Sequence, residues 1–448
     1  MLSRTTIYPD MREDSSDASP SIGATRPPSM RALAMAGLLI GPGMLAMLGE
    51  NDGPSMLSYA ASGASYGLGF FLPFILLTFA AAFLVQEMAL RIAVVTGRGY
   101  GDLMFQRFGA GWGWVSAVDL LVTNLVTLVA EVVAIRIGMA FFGVPAWGAA
   151  LCAVLLVAAS SFTGRYSRWE TVCAGLAGFN LLFIAVAALA RPSVHEIAWA
   201  TLSWRPFPDA PLADLLLVVA SNIGATVTPW MLFFQQSASV DKHLKGEAAL
   251  RRGRVNTALG AAVAALAGCG ALVAATPLFA HHVALDQYQQ GAGFAEALTA
   301  TVGRPAGTLF ALGLIEAGAV AMLTISASSA YAVGESIRGC IASFDAGPAR
   351  APLFHGVNIG MALIAALVVL IPGAPLMAIV LNANLLTTIL MPAALVFLLL
   401  MANDTELMGA QTNRRLTNIL GVAIAIAITL SATACVVASS LQSLHHWL

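Results

Sequence analysis

Glu50 and Asp52 are the residues from which chemistry can start. They lie in Gly49-Glu50-Asn51-Asp52-Gly53-Pro54-Ser55, in the middle of an apolar run over residues 31–66. Ionisable groups inside lipid-spanning segments are costly and mark functional positions by default. Gly and Pro end the helix here, while Asn51 and Ser55 add short polar groups. A second interruption, Gly224-Ala225-Thr226-Val227-Thr228-Pro229, breaks the apolar run over residues 213–242. Each break frees backbone carbonyls at mid-membrane depth, where irregular backbone is tolerated only if it lines a cavity. An anionic Asp52 beside free carbonyls and hydroxyls makes a cation site. Neither break contains a Lys or Arg, so an anionic substrate would find no base there.

The elements that must position these groups follow from composition. The 448 residues are 58% hydrophobic and only 10% charged, with a mean hydropathy of +0.82. A soluble domain carries about 25% charged residues. Disorder, a collagen-like repeat and a disulfide-rich scaffold are excluded, and a net charge of -1 leaves no basic face for nucleic acid. Long unbroken apolar runs select membrane-spanning helices over a closed barrel. Runs long enough to cross recur at residues 31–66, 70–96, 112–140, 146–163, 169–190, 213–242, 255–280, 306–334, 355–374, 376–401 and 416–441, eleven in all. The expected fold is therefore an all-α integral membrane protein with eleven transmembrane helices, the first and sixth broken.

Basic residues set the expected orientation, since cytoplasmic loops are enriched in them. With the N-terminus inside, 18 of the 22 Lys and Arg residues fall on the cytoplasmic side. Arg191, Arg205 and Arg304 fall outside, and Arg136 lies within a span. The tail over residues 1–30 has no apolar core and does not read as a cleavable signal peptide. Leu448 is expected to face out. Under this topology the two broken spans run in opposite directions, at corresponding places of two five-helix halves. That is the sequence mark of an inverted-repeat transporter. The halves are expected at residues 31–190 and 213–401, with an additional helix at 416–441.

Other chemistries lack their residues. Cys152, Cys173, Cys269, Cys340 and Cys435 stand singly and read as small buried hydrophobes. The seven histidines lie in loops or near helix ends, without the helical spacing an intramembrane metalloprotease needs. An enzyme is not expected. A metal sensor without flux would need signalling domains, and the tails are short.

Several stretches together resemble the NRAMP family of divalent-metal transporters. Gly41-Pro42-Gly43 followed by Asp52 is similar to the family's first helix, where GPG, eight residues and DPGN occur in order. Gln86-Glu87 and Val94-Val95-Thr96-Gly97-Arg98-Gly99 resemble the end of its second helix, and Glu131-Val132-Val133 its third. The break from Gly224 to Pro229 resembles its GATVMP sixth helix, and Asn384 to Pro392, running on to Asp404, its tenth. The resemblance spans residues 31 to 441 and implies the LeuT/APC-type 5+5 inverted repeat plus one extra helix. It implies metal binding by Asp52, by the Ala225 carbonyl, and by the residues at positions 55 and 228.

The departures bear on the ion. Ser55 stands where the family has a ligating Asn, and Thr228 replaces the Met whose thioether favours softer ions. Trp230-Met231 replaces a His-Asn pair, Gln235 stands at a second histidine, and Asn384 matches a Gln near the site. Without sulfur, selection for soft metals is lost. The oxygen-only set of Asp52, Ser55, Ala225 and Thr228 resembles the NRAMP-related magnesium transporter branch, and Mg²⁺ keeps several waters beside one or two carboxylates. Trp230 and Gln235 do not titrate near neutral pH. Uncoupled import driven by the membrane potential is expected, since a divalent ion gains about 4.6 kcal/mol per 100 mV, twice the single-charge figure. The expected activity is alternating-access import of Mg²⁺, with Mn²⁺ admitted. The alternative is a proton-coupled Mn²⁺ or Fe²⁺ symporter; another hard ion such as Al³⁺, or an organic cation, is a third reading.

The remaining polar positions surround this site. Glu50 and Asn51 are candidates for hydrated-ion contacts, with helix capping as the plainer role for Asn51. Glu131 is expected to pair with Arg136, against a role in a cation path. Asp119 and Glu316 have no local basic partner and are pathway candidates. Glu87 and Arg91 are spaced for an intrahelical pair. The basic run from Lys242 to Arg254 reads as a topology anchor, with contact to anionic lipid as a further role. No cofactor is expected beyond the transported Mg²⁺ or Mn²⁺. The partners are that cation and the lipid bilayer, with no nucleic acid and no obligatory protein partner. A bacterial cytoplasmic membrane is the expected setting.

Overall fold

Most apolar runs form long helices, and the Gly- and Pro-containing stretches at 49–55 and 224–229 break theirs, whereas Pro277 and Pro392 are carried inside helices. The structure, a computed structural model, describes residues 40–205, 210–283, 293–373 and 376–447. The tail expected over residues 1–30 lies outside them. Within the first run, whose residues 31–39 lie outside those described, stand two short helices, α1 (Pro42–Gly49) and α2 (Gly53–Tyr66). Next come α3 (Phe71–Thr96), the short α4 (Tyr100–Arg107), α5 (Gly109–Ala140) and α6 (Ala146–Ser161). The following span is α7 (Tyr166–Ala177) and α8 (Leu181–Leu189), joined through a single 3-10 turn at Gly178–Asn180. A short α9 (Val194–Ser203) leads to the second broken span, α10 (Leu212–Gly224) and α11 (Pro229–Asp241). The rest is α12 (Gly246–Ala280), α13 (Phe294–Thr301), α14 (Arg304–Ser336), α15 (Pro352–Val369), α16 (Leu376–Asn403), α17 (Thr405–Met408) and α18 (Arg415–Trp447).

Nine helices among the described residues are long and apolar enough to cross a membrane, counting the two halves around each of the 178–180 and 225–228 interruptions as one. Ala146–Ser161 is a shorter apolar helix, and α1 and α2 fall within the first expected run. At 1.5 Å per residue the 26 residues of α3 extend about 39 Å, more than the ~30 Å hydrocarbon core.

Packing is inverted relative to a soluble protein. Large apolar side chains such as Leu155, Leu266, Leu367 and Leu430 are exposed, whereas Gln86, Asn124, Thr257 and Ser326 are buried. Small residues let helices close on one another, the usual device where lipid removes the hydrophobic drive. On the α5–α14 seam, Gly318 lies against the Glu131 carbonyl and Ile135, and Asn124 Nδ2 donates to Ser329 Oγ at 2.9 Å. α12 packs against α1, α2, α3 and α8 and so holds the broken first span in place.

Several of the basic residues are held by ion pairs. Glu87 pairs with Arg91 at 3.2 Å, as the spacing predicts, and also with Arg254 at 2.7 Å. Arg107 pairs with Asp404 and Glu406. Lys242 Nζ meets Glu170 Oε2 at 2.6 Å and donates to the Ile40 carbonyl at 3.1 Å, fastening the start of α1 to the end of α11. The Glu170 side chain is 5% exposed, so removing its cation strands a buried charge. Lys242→Met is expected to lower the detergent-solubilised Tm by several degrees. The double variant Lys242→Met/Glu170→Gln should recover most of the loss, which differential scanning fluorimetry would check.

Two expectations are corrected here. Arg136 does not pair with Glu131; its guanidinium donates to the Val369 carbonyl at 3.3 Å. Five residues turn an α-helix through about 140°, so the two side chains diverge. Cys152 is exposed on α6 rather than buried, while Cys173, Cys269 and Cys435 are buried as expected.

Candidate functional site

The site begins with how each broken span restarts. Asp52 is the N-cap of α2: its backbone is extended (φ -72, ψ 171) and its Oδ1 accepts from Ser55 N at 2.7 Å. Pro54 in the first turn supplies the preset φ of a helix start. Thr228 occupies the matching N-cap position of α11, ahead of Pro229, yet its hydroxyl caps nothing on its own helix. Thr228 Oγ1 donates instead to Glu50 Oε2 at 2.8 Å. The two breaks, far apart in sequence, therefore meet at one hydrogen bond.

Glu131 of α5 completes the group. Its Oε2 accepts from Gly53 N at 3.0 Å, and its carboxyl lies within hydrogen-bond reach of Asp52. Glycine at 53 is required by this approach, because a Cβ there would fall on the Cβ of Ala134. Gly224 plays the same part at the other break, where a Cβ would strike the Asn384 carbonyl and the Thr387 and Thr388 hydroxyls. Asn384 Nδ2 in turn donates to the Pro54 carbonyl at 3.3 Å, bringing α16 to the start of α2.

The electrostatics follow from burial. Glu50, Asp52 and Glu131 are all essentially inaccessible, and among the described residues none of them forms an ion pair. Buried carboxylates without a basic partner are compensated by a bound cation or by protons. Four buried oxygens here have no hydrogen-bond partner among the described residues: Glu50 Oε1, Asn51 Oδ1, Ser55 Oγ and Glu131 Oε1. Among the described residues no three His, Cys, Asp or Glu side chains are grouped as metal ligands. A metal held here would draw on hydroxyl, amide and carbonyl oxygens beside the carboxylates, with water completing its shell.

Not every expected residue joins the group. The Ala225 carbonyl, expected as a ligand, accepts from Tyr59 OH at 2.9 Å, and the same phenol meets Thr226 Oγ1 at 2.8 Å. Asn51 Nδ2 donates to the Ala264 carbonyl at 2.9 Å, anchoring the first break to α12. Trp230 is buried with its ring beside Gly49, at the edge of the break. Gln235 Nε2 bonds Thr257 at 3.1 Å, between α11 and α12. Asp119 is half-buried three turns before Glu131 on α5, and Glu316 bonds Asn180 of the α7–α8 turn. Neither enters the group of oxygens around the breaks.

Sequence reasoning missed Tyr59 and misjudged Glu131. A signal existed for the first: Tyr59 follows Ser55 by four residues and shares its helix face, and a mid-span phenol needs a polar partner. For Glu131 the signal was the absence of any basic residue at three- or four-residue spacing.

Comparison with known proteins adds four findings. The family model described as natural resistance-associated macrophage protein-like (Nramp) matches residues 43–438. A divalent metal cation transporter MntH from Aeromonas hydrophila is 24% identical over 405 residues, covering 88% of this chain and 94% of the relative. The crystal structure of the Eremococcus coleocola manganese transporter superposes with a TM-score of 0.72 at 20% identity, covering 93% of this chain and 89% of that one. A Na⁺-coupled sialic acid symporter in a substrate-bound outward-open state shares the fold at a TM-score of 0.55 and 12% identity, over 88% of each chain.

Proposed function

The chain belongs to the Nramp family, and from that premise we propose that it carries divalent metal cations across a membrane by alternating access. The observation that carries this reading is the meeting of the two breaks at Thr228–Glu50, among buried oxygens without partners. Glu50, Asp52, Ser55, Thr228 and Glu131 supply the donors, and Asn384 holds α16 against them. Opposed helix ends at one such point give a site that either side of the membrane can reach as the repeats rock. The basic segment from Lys242 to Arg254 faces the cytoplasm in this reading, in keeping with the inside-positive bias.

Mn²⁺ is the ion that the comparisons favour, since relatives carry the names divalent metal cation transporter MntH and manganese transporter. This supports the alternative drawn from the sequence, a proton-coupled Mn²⁺ or Fe²⁺ symporter, more than the Mg²⁺ preference. One observation keeps Mg²⁺ as a second reading: the donors gathered at the breaks are all oxygen, with Thr228 where a thioether is expected. Mn²⁺ also accepts such donors, so the two ions are expected to compete.

Reconstitution in liposomes with an inside-negative potential tests both. Saturable Mn²⁺ influx is expected, inhibited by external Mg²⁺, with an internal pH dye reporting whether protons enter. Absence of saturable influx of either ion would sink the proposed function, and Mn²⁺ influx indifferent to Mg²⁺ would remove the second reading. Thr228→Met, which installs a sulfur, should tighten Cd²⁺ binding roughly tenfold. Calorimetry showing no gain would take position 228 out of the site.

A further inference from the structure

Two arginines stand where the charge distribution disfavours them. Of the 22 Lys and Arg residues only Arg191, Arg205 and Arg304 are expected outside. Arg191 and Arg205 line one cleft of about 560 Å³. The ends of α2, α8 and α12 and the start of α9 border it, through Gly67, Ala190, Thr276 and Ser193. With 35 residues, α12 is about 52 Å long. It carries the basic segment at its start and the cleft at its end, so the two lie at opposite faces of the bundle.

Both arginines are exposed, and among the described residues neither forms an ion pair. The lining includes one acid, Glu196, against two permanent guanidinium charges. That excess repels a metal cation and attracts an anion. The start of α9, capped by Ser193, brings the positive end of a helix dipole to the same place. The backbone also holds side chains here under strain. Among the described residues four that are not glycine have a left-handed φ, and three of them border the cleft. They are Arg191 (φ 49), Trp204 (φ 34) just before Arg205, and His282 (φ 51) just after the lining His281. Arg191 and His282 follow helix ends, where glycine is the unstrained choice.

The apolar surroundings identify what carries the anion. Val194, Trp199 and Leu202 of α9 are exposed, within about 140° of one another around the helix. Trp204 and Phe279 are exposed beside them. A short helix with such a face, at the ends of membrane-crossing helices, lies at the boundary of headgroups and acyl chains. Lipid phosphates stand at that level, and guanidinium groups match phosphate oxygens in geometry and charge.

We infer that Arg191 and Arg205 bind the phosphate of an anionic phospholipid, whose acyl chains lie along the apolar face of α9. The excess positive charge selects a net-negative headgroup over a zwitterionic one. A soluble phosphate shares the anionic group but gains nothing from Trp199 and Leu202. Because the end of α2 borders the cleft, the bound lipid fastens half of the first broken span to α8 and α9. The inference does not depend on which metal is carried.

The test uses the purified full-length chain in nonionic detergent micelles doped with phosphatidylglycerol or phosphatidylcholine, with Tm read by differential scanning fluorimetry. Phosphatidylglycerol is expected to raise the wild-type Tm by several degrees over phosphatidylcholine. Arg191→Gln or Arg205→Gln alone should move the half-maximal phosphatidylglycerol fraction up about fivefold, and both together roughly thirtyfold. Glutamine keeps the side-chain carbons of Arg205 that lie against Gly69, and the Arg205 N bond to the Gly69 carbonyl is untouched. The pair of substitutions should give the same shift in an Arg251→Gln/Arg252→Gln background, which removes charge at the far end of α12. Three results overturn the inference. One is a wild type that responds equally to the two lipids. Another is a midpoint unchanged in both single variants. The third is an equal rise from glycerol 1-phosphate without lipid, which assigns the cleft to a soluble phosphate.

Discussion

Asp52→Ala is expected to cut divalent-metal uptake by about 100-fold or more, since even residues supporting a metal ligand typically contribute 10–100-fold. Two effects combine in that loss, because Asp52 both caps α2 and brings charge to the break. Losing an N-cap costs about 1 kcal/mol on its own, enough to blur an interpretation from alanine alone. Asp52→Asn separates them. Asparagine is an equally good N-cap but carries no charge, so the variant should fold with a Tm close to wild type and still lose uptake. Liposome influx and fluorimetry on the same preparations give the answer. If Asp52→Asn retains more than about a third of the uptake, the carboxylate is not a ligand.

The second large effect is expected at a residue with no side chain. In Gly53→Ala the new methyl falls on Ala134, and α2 must move away from α5. Overpacking of this kind costs about 1–3 kcal/mol. The same movement pulls Gly53 N off Glu131 Oε2, and hydrogen bonds to charged groups contribute about 1.5–3 kcal/mol. Uptake should fall at least tenfold. Ala134→Gly in the same chain removes the obstructing methyl and should restore the larger part. Failure of that rescue, with both proteins folded, would show that the α2–α5 contact does not position the site.

The breaks were legible because glycine and proline act locally. Gly49 through Ser55 and Gly224 through Pro229 stop helices whatever surrounds them, and the structure stops them at Gly49 and Gly224. Glu87–Arg91 was legible for the same reason, being a pair within one helix. What was hidden depends on contacts across the bundle. Nothing within α5 says that Glu131 faces Gly53, and nothing near Thr228 says that its hydroxyl reaches Glu50. The Ala225 carbonyl, a position inferred from resemblance, accepts from Tyr59, another contact made across the bundle. Glu316 was flagged by its missing partner, and only the fold reveals Asn180 beside it.

Thr228 occupies a cap position without capping, and that has a consequence for substitution. Pro229 restarts α11 without help from the side chain before it, so this helix does not depend on which residue stands at 228. On the proposed reading, a substitution at 228 changes the group facing Glu50 and leaves the start of α11 intact, whereas one at 52 alters the helix start and the charge together.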